Sequence, residues 1–193
     1  MEADWEVEIG GSAPVIEPHW PGFIDLRKEP ARIGEIAEAC AFPPLADLLL
    51  ALNSAASPIW TSKCDVWAPE PGALACYVDL LPFRGGVFAV WERAEAFCRV
   101  LVKRITPHSL IAAETQSGRH PIRIVSDGAG SATTITLVVR RAVNKDSEGF
   151  GVTAYFSADA QCQPDATTAL AAAMVAFSSV LAAGDSQVSA NRR

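Results

Sequence analysis

The chain has 193 residues, half of them hydrophobic and a fifth charged, with a formal net charge of −6 at pH 7. This composition excludes a disordered chain of low hydrophobicity, and the acidic balance argues against general attraction to nucleic acid or anionic lipid. The length suits one domain or one domain with an arm; no uninterrupted apolar run approaches the roughly 20 residues of a membrane span, and the acidic start Met1-Glu2-Ala3-Asp4 lacks the basic region of a signal peptide, so a soluble cytoplasmic protein is expected.

Residues 1–30 read as an N-terminal arm. A short strand is expected over 5–9, then Gly10-Gly11 and a proline-rich passage containing Pro18-His19-Trp20-Pro21-Gly22-Phe23. Prolines at this density exclude a regular interior helix or central strand, so an extended segment is expected. It lies either on its own domain, anchored by Trp20 and Phe23, or on a partner. Residues 31–184 read as the folded domain, and 185–193 as a tail without an apolar period.

A short helix is expected over 31–40, with Ile33 and Ile36 on one face. Pro43-Pro44 opens the next, whose Leu45, Leu48, Leu49 and Leu52 form one stripe before Asn53-Ser54 ends it. Residues 58–83 then read as a β-hairpin. Alternation places Trp60, Ser62, Cys64 and Val66 on one face and Thr61, Lys63 and Asp65 on the other. Pairing Cys64 with Val78 sets Val66 against Cys76 and Ser62 against Leu80 on the apolar face, and Lys63 against Asp79 and Asp65 against Tyr77 on the outward face. Pro71-Gly72 suits the centre of a type II turn.

A longer amphipathic helix is expected over 87–105, with Val87, Val90, Trp91, Ala94, Phe97, Cys98, Leu101 and Ile105 as its stripe, Glu95 and Arg99 paired at i,i+4, and Pro107 closing it. Residues 111–114 suit a short strand or turn, 122–125 a strand, 127–130 a turn and 133–143 a longer strand. Pairing Val139 with Val152 sets Leu137 against Ala154 and Ile135 against Phe156 on the core face, with Arg140, Val138, Thr136, Thr153 and Tyr155 outward and a polar loop over 144–149. A last helix over 165–183 carries the stripe Leu170, Ala173, Met174, Phe177, Val180 and Leu181.

Together these elements predict a single α+β domain: an antiparallel sheet built of hairpins, its apolar face covered by the two main amphipathic helices, in a layout related to the ferredoxin-like arrangement. Many functions share such layouts, so fold alone assigns none.

Few residues suggest chemistry. The five cysteines are odd in number, scattered and free of a Cys-x-x-Cys pair, which predicts reduced, mostly buried thiols and no disulfide. No Cys/His spacing brings four ligands to one ion, and neither a metal nor another cofactor is expected. Cys64 beside Asp65, with His108 or His120 as a distant base, is a weak nucleophile candidate because the strand pattern sends the thiol to the apolar side. Gly128-Ala129-Gly130-Ser131 precedes a strand rather than a helix, which excludes a phosphate cradle. The strongest expectation is a protein-binding surface combining the arm residues Trp20 and Phe23 with Lys63, Asp65, Trp67, Tyr77 and Asp79 on the outward hairpin face. A non-catalytic protein-binding or assembly module follows, whose partner is a second copy of the chain or another protein, with no role for nucleic acid or a membrane. The rival reading is an enzyme or binding protein for a small anionic ligand, held by Arg119, His120, Arg123, Arg140 and Arg141 with His120 as acid or base.

Overall fold

The computed structural model describes residues 15–105, 112–114, 122–128 and 130–182. The strand expected over 5–9, the tail, and the ligand candidates Arg119 and His120 lie outside these residues. Six strands form one sheet: β1 (Ile59–Trp67), β2 (Ala73–Pro82), β3 (Ala112–Glu114), β4 (Ile122–Gly128), β5 (Ser131–Asn144) and β6 (Ser147–Ala160), in the order β1-β2-β6-β5-β4-β3. Every neighbouring pair is antiparallel. A 3₁₀ turn (Pro30–Glu35) leads to the helices α1 (Ala37–Ala41), α2 (Pro43–Leu52), α3 (Trp91–Ile105) and α4 (Gln163–Ala182). This is the expected α+β domain, although its element order differs from the β-α-β-β-α-β of a ferredoxin-like layout.

The main core lies between the sheet and the helices. Cys76, Val78 and Leu80 from β2, Val152, Ala154 and Phe156 from β6, Ile135 and Leu137 from β5, and Ile122 and Ile124 from β4 are buried against Leu45, Leu48, Leu49 and Leu52 of α2, Cys98, Leu101 and Ile105 of α3, and Leu170, Met174 and Phe177 of α4. Phe156 and Phe177 meet edge to face with ring centroids 5.1 Å apart, the favoured aromatic geometry. Over Gln163–Leu181 the last helix is long and apolar enough to cross a membrane by length and composition alone, yet its Leu170, Met174, Phe177 and Leu181 stripe is buried on the sheet.

The β5–β6 register is the expected one, with Val139 opposite Val152, Leu137 opposite Ala154 and Ile135 opposite Phe156. These strands run further than their apolar runs and meet in a two-residue turn, Lys145-Asp146, so the expected loop over 144–149 is mostly strand. The turn of the first hairpin also forms as expected: the Ala73 N–H donates to the Glu70 carbonyl at 3.0 Å around Pro71 and Gly72. Gly72 has φ +84°, and a Cβ there would lie 2.5 Å from the Ala160 carbonyl oxygen, so both conformation and space require glycine.

Two expectations about the secondary structure need correction. In β1 the pairs Cys64–Val78, Asp65–Tyr77 and Val66–Cys76 hold, but the register then shifts so that Thr61 faces Leu80 and Trp60 faces Leu81. The cause is tertiary. Asn53 at the end of α2 donates to Thr61 Oγ1 at 2.6 Å and accepts from the Thr61 N–H at 3.1 Å, which fixes Thr61 toward the helices. Cys64 packs on that side too, and residues three apart share a face of a strand only if an extra residue intervenes. The bulge at Ser62-Lys63 supplies it. It places Ser62 and Lys63 together opposite the stretch around Asp79 and turns Trp60 to the other face of the sheet. The helix expected from residue 87 begins instead at Trp91, because Phe88 exchanges two backbone hydrogen bonds of 2.8 Å with Phe150 and is therefore extended; Val90, placed in the stripe, is exposed.

On that second face Trp60 forms a minor core with Ile16, Leu81 and Ala142, flanked by Phe23 and Val87. Ile16 bonds to β5 through its N–H to the Arg141 carbonyl (2.9 Å) and its carbonyl from the Val143 N–H (3.0 Å). From there the arm crosses to β1, where Phe23 lies 6.0 Å and His19 5.9 Å from the Trp60 ring, and the Arg27 guanidinium carbon sits 3.9 Å over it. The arm is thus anchored on its own domain, through Ile16, Phe23 and Arg27 more than through Trp20, which is 41% exposed. Nor is it extended throughout: Trp20-Pro21-Gly22-Phe23 closes a turn with the Phe23 N–H on the Trp20 carbonyl and Gly22 at φ +95°.

Candidate functional site

After the arm crosses Trp60, the chain rounds the β1 edge and passes to the helix side. The space left around that edge is a cleft of about 480 Å³. Trp20, Gly22 and Ile24 form the arm wall, Glu35 to Glu38 the wall at the start of α1, and Ser62 to Asp65 with Tyr77 the sheet wall. Local chemistry fixes each wall. The Pro-Gly turn holds the Trp20 ring against Gly22, whose Cβ would sit 3.2 Å from it, and Ser62 Oγ donates to the Pro18 carbonyl at 3.2 Å, tying the arm to the bulge. Below the arm, Asp25 binds Arg27 at 2.7 Å, and this partner keeps the Asp25 carboxyl below its ordinary range.

Among the lining charges, Glu35 is held by Arg32 at 2.8 Å. Asp65 accepts the Val66 N–H at 2.7 Å, which caps a backbone donor of the edge strand. This cap, together with the bulge, blunts the β1 edge against pairing with another strand. Burial pushes the Cys64 thiol up to about 12, and Glu38, Asp65 and Asp79 push in the same direction. Cys64 is therefore a protonated thiol on the cleft floor at neutral pH and a poor nucleophile.

Of the expected binding residues, Trp20, Lys63, Asp65 and Tyr77 line this one cleft. Trp67 adjoins it, its ring 6.3 Å from that of Tyr77, and Tyr77 continues to Tyr155 at 5.9 Å. Phe23 is not on the surface of the cleft but beneath the arm, against Trp60. Asp79, expected to be solvated opposite Lys63, is buried and accepts a 2.7 Å hydrogen bond from Thr153 Oγ1 on β6. The bulge removes the one-to-one pairing with Lys63, and the central strand β6 encloses Asp79 from the other side. Ile24, Ile36 and Glu38 were not anticipated, because the chain's turn around the sheet edge brings them in from distant sequence.

Among the described residues, the three arginines of the rival reading, Arg123, Arg140 and Arg141, do not converge. Arg140 is buried on the arm side, where it donates to the Tyr155 hydroxyl and lies 5.6 Å from that ring. Arg141 points to the opposite face, exposed and 3.4 Å from Glu148. Arg123 faces Thr136, four residues along β5 from Arg140, a separation of about 14 Å at the strand rise. All five thiols are free, and Cys76 and Cys98 are buried and Cys64 half-buried, whereas Cys40 and Cys162 are exposed. Among the described residues no group of three or more His, Cys, Asp or Glu side chains is placed to hold a metal ion. No family model, curated protein or solved structure matches the chain.

Proposed function

We propose that the protein is a non-catalytic binding module that takes a cationic side chain of a protein partner, a lysine or arginine, into the cleft beside β1. The observation that carries this reading is the joining of aromatic walls, Trp20 and Tyr77, to the carboxylates of Glu38 and Asp65 in one concave site. A cation gains from the ring faces and from the carboxylates together, about 0.5–2 kcal/mol for the ring contribution alone. Glu35 is already engaged, and Glu38 and Asp65 against the one charge of Lys63 leave a net excess of one negative charge. The apolar side chains Ile24 and Ile36 suit the aliphatic stem of a long basic residue. The protonated state of Cys64 favours binding over covalent chemistry.

An array of short peptides, each carrying one Arg, Lys, Glu or Leu in a neutral background, tests the reading. Preferential capture of the Arg and Lys peptides, lost in Glu38→Gln and Trp20→Ala, is expected. Equal capture of the Glu and Leu peptides contradicts it. Where the partner is a second copy of the chain, light scattering of the intact protein shows a dimer that Trp20→Ala dissociates.

A further inference from the structure

A second cleft, of about 700 Å³, lies at the opposite end of β2, where the loop from Pro82 enters α3. The loop is pinned in place. Gly85 and Gly86 take φ of +82° and +72°, and a Cβ on Gly86 would lie 2.0 Å from Asn144 Nδ2. Gly149 approaches so closely that its Cβ would be 2.4 Å from the Phe88 carbonyl oxygen, and the paired Phe88 and Phe150 backbones close the contact. Trp91 then meets Phe150 edge to face at 5.7 Å. This rigid loop brings Arg84, in the turn after β2, and Arg93, on the first turns of α3, into the lining of one cleft. Neither side chain has a hydrogen-bond or ion-pair partner among the described residues. The third charge in the lining, Glu148, is already within 3.4 Å of Arg141.

We infer that this cleft is a binding site for a small amphiphilic oxyanion, a carboxylate or phosphate monoester carrying an apolar group. Two guanidiniums in a chain of net charge −6 make a local positive site, and each can present a planar pair of N–H donors to an oxyanion. The lining between them is apolar, with Val87, Phe88 and Ala96 available to the body of the ligand. The anion site thus falls on Arg84 and Arg93 rather than on Arg123 and Arg140. It is independent of the acidic cleft.

Calorimetric titration of the full chain with phenyl phosphate, benzoate and inorganic phosphate tests the assignment. Saturable binding of phenyl phosphate or benzoate is expected, with the tighter of the two naming the head group and inorganic phosphate weaker than phenyl phosphate. Arg84→Gln and Arg93→Gln should each weaken binding about tenfold, in the range of one charge-assisted hydrogen bond. Both arginines are exposed, so the fold should persist, and Arg99→Gln should leave the affinity unchanged. Absence of saturable binding overturns the inference. So does equal affinity for inorganic phosphate, or an equal loss in Arg99→Gln.

Discussion

Docking of the arm holds Trp20 at the cleft, and the contact between Ile16 and Gly151 is where that docking is most sharply measurable. Gly151 has an ordinary backbone conformation, so alanine there adds no strain of its own; its Cβ, however, would lie 2.8 Å from Ile16 Cδ1, 3.1 Å from Leu81 Cδ2 and 3.2 Å from the Leu80 carbonyl oxygen. Leu81 is flexible at its end, whereas Ile16 is tied to β5 by two backbone hydrogen bonds. Gly151→Ala should therefore cost about 1–3 kcal/mol, the usual range for overpacking. Ile16→Ala, which empties a nearly fully buried site at the edge of the minor core, should cost about 2 kcal/mol, the low end of such truncations. The Ile16→Ala change also removes the atom that Gly151→Ala strikes. The double variant should then be less destabilised than the sum by about 1 kcal/mol, a coupling typical of residues in contact. Urea unfolding of the four proteins measures it, and in thermal melts each kcal/mol corresponds to about 2–4 °C for a chain of this size. Strict additivity would refute the docking of Ile16 over Gly151.

Val78→Asp should unfold or aggregate the protein, because Val78 is fully buried in the main core and the charge would have no partner there; a cooperative melt near that of the parent would contradict the hairpin register. A thiol reagent at neutral pH should label Cys40 and Cys162 promptly and Cys64, Cys76 and Cys98 only on unfolding; fast labelling of Cys64 would contradict its protonated, half-buried state. Burial also raises Cys98 to about 12 and pushes Cys76 up. The unfolded chain loses these protons near pH 9 while the folded chain keeps them, so stability is retained below pH 9 and falls as pH rises from about 9 toward 12, by about 1.4 kcal/mol per pH unit for each such thiol. Cys98→Ala should flatten the decline; an unchanged slope would sink this explanation. Lys145 stands at φ +55° in its turn, so Lys145→Asn should be neutral or stabilising by up to about 1 kcal/mol, and a loss of more than that would show an unrecognised role for the lysine.

The parts of this fold that could be read from sequence are those in which local pattern and tertiary packing agree. Alternation in β5 and β6 places Leu137, Val139, Val152 and Ala154 on one side, and the register follows. Pro71-Gly72 can enter its turn whatever surrounds it. The bulge at Ser62-Lys63 was not legible, because it is imposed by Asn53 from another element, and without it Trp60 falls on the wrong face. With Trp60 misplaced, the arm's anchor is hidden as well. Pro21-Gly22 did carry a readable turn signal, the same dipeptide as in the first hairpin. For the cleft, Trp20, Lys63, Asp65 and Tyr77 were recognisable as polar and aromatic residues on an arm and a strand, but Ile24, Ile36 and Glu38 join them only once the chain rounds the β1 edge. Arg84 in the loop and Arg93 on α3 are separated by Gly85-Gly86, and nothing in their spacing announces a shared cleft.

The central claim is that the cleft beside β1 receives a basic side chain. Titration of the full chain with N-acetyl-arginine amide, followed by NMR of the Trp20 indole and the Ile24 and Ile36 methyl groups, tests it most directly. Saturable shifts confined to these groups, lost in Glu38→Gln and absent with N-acetyl-glutamate amide, are the predicted result. Shifts scattered over the surface, or equal responses to the two amides, would contradict it.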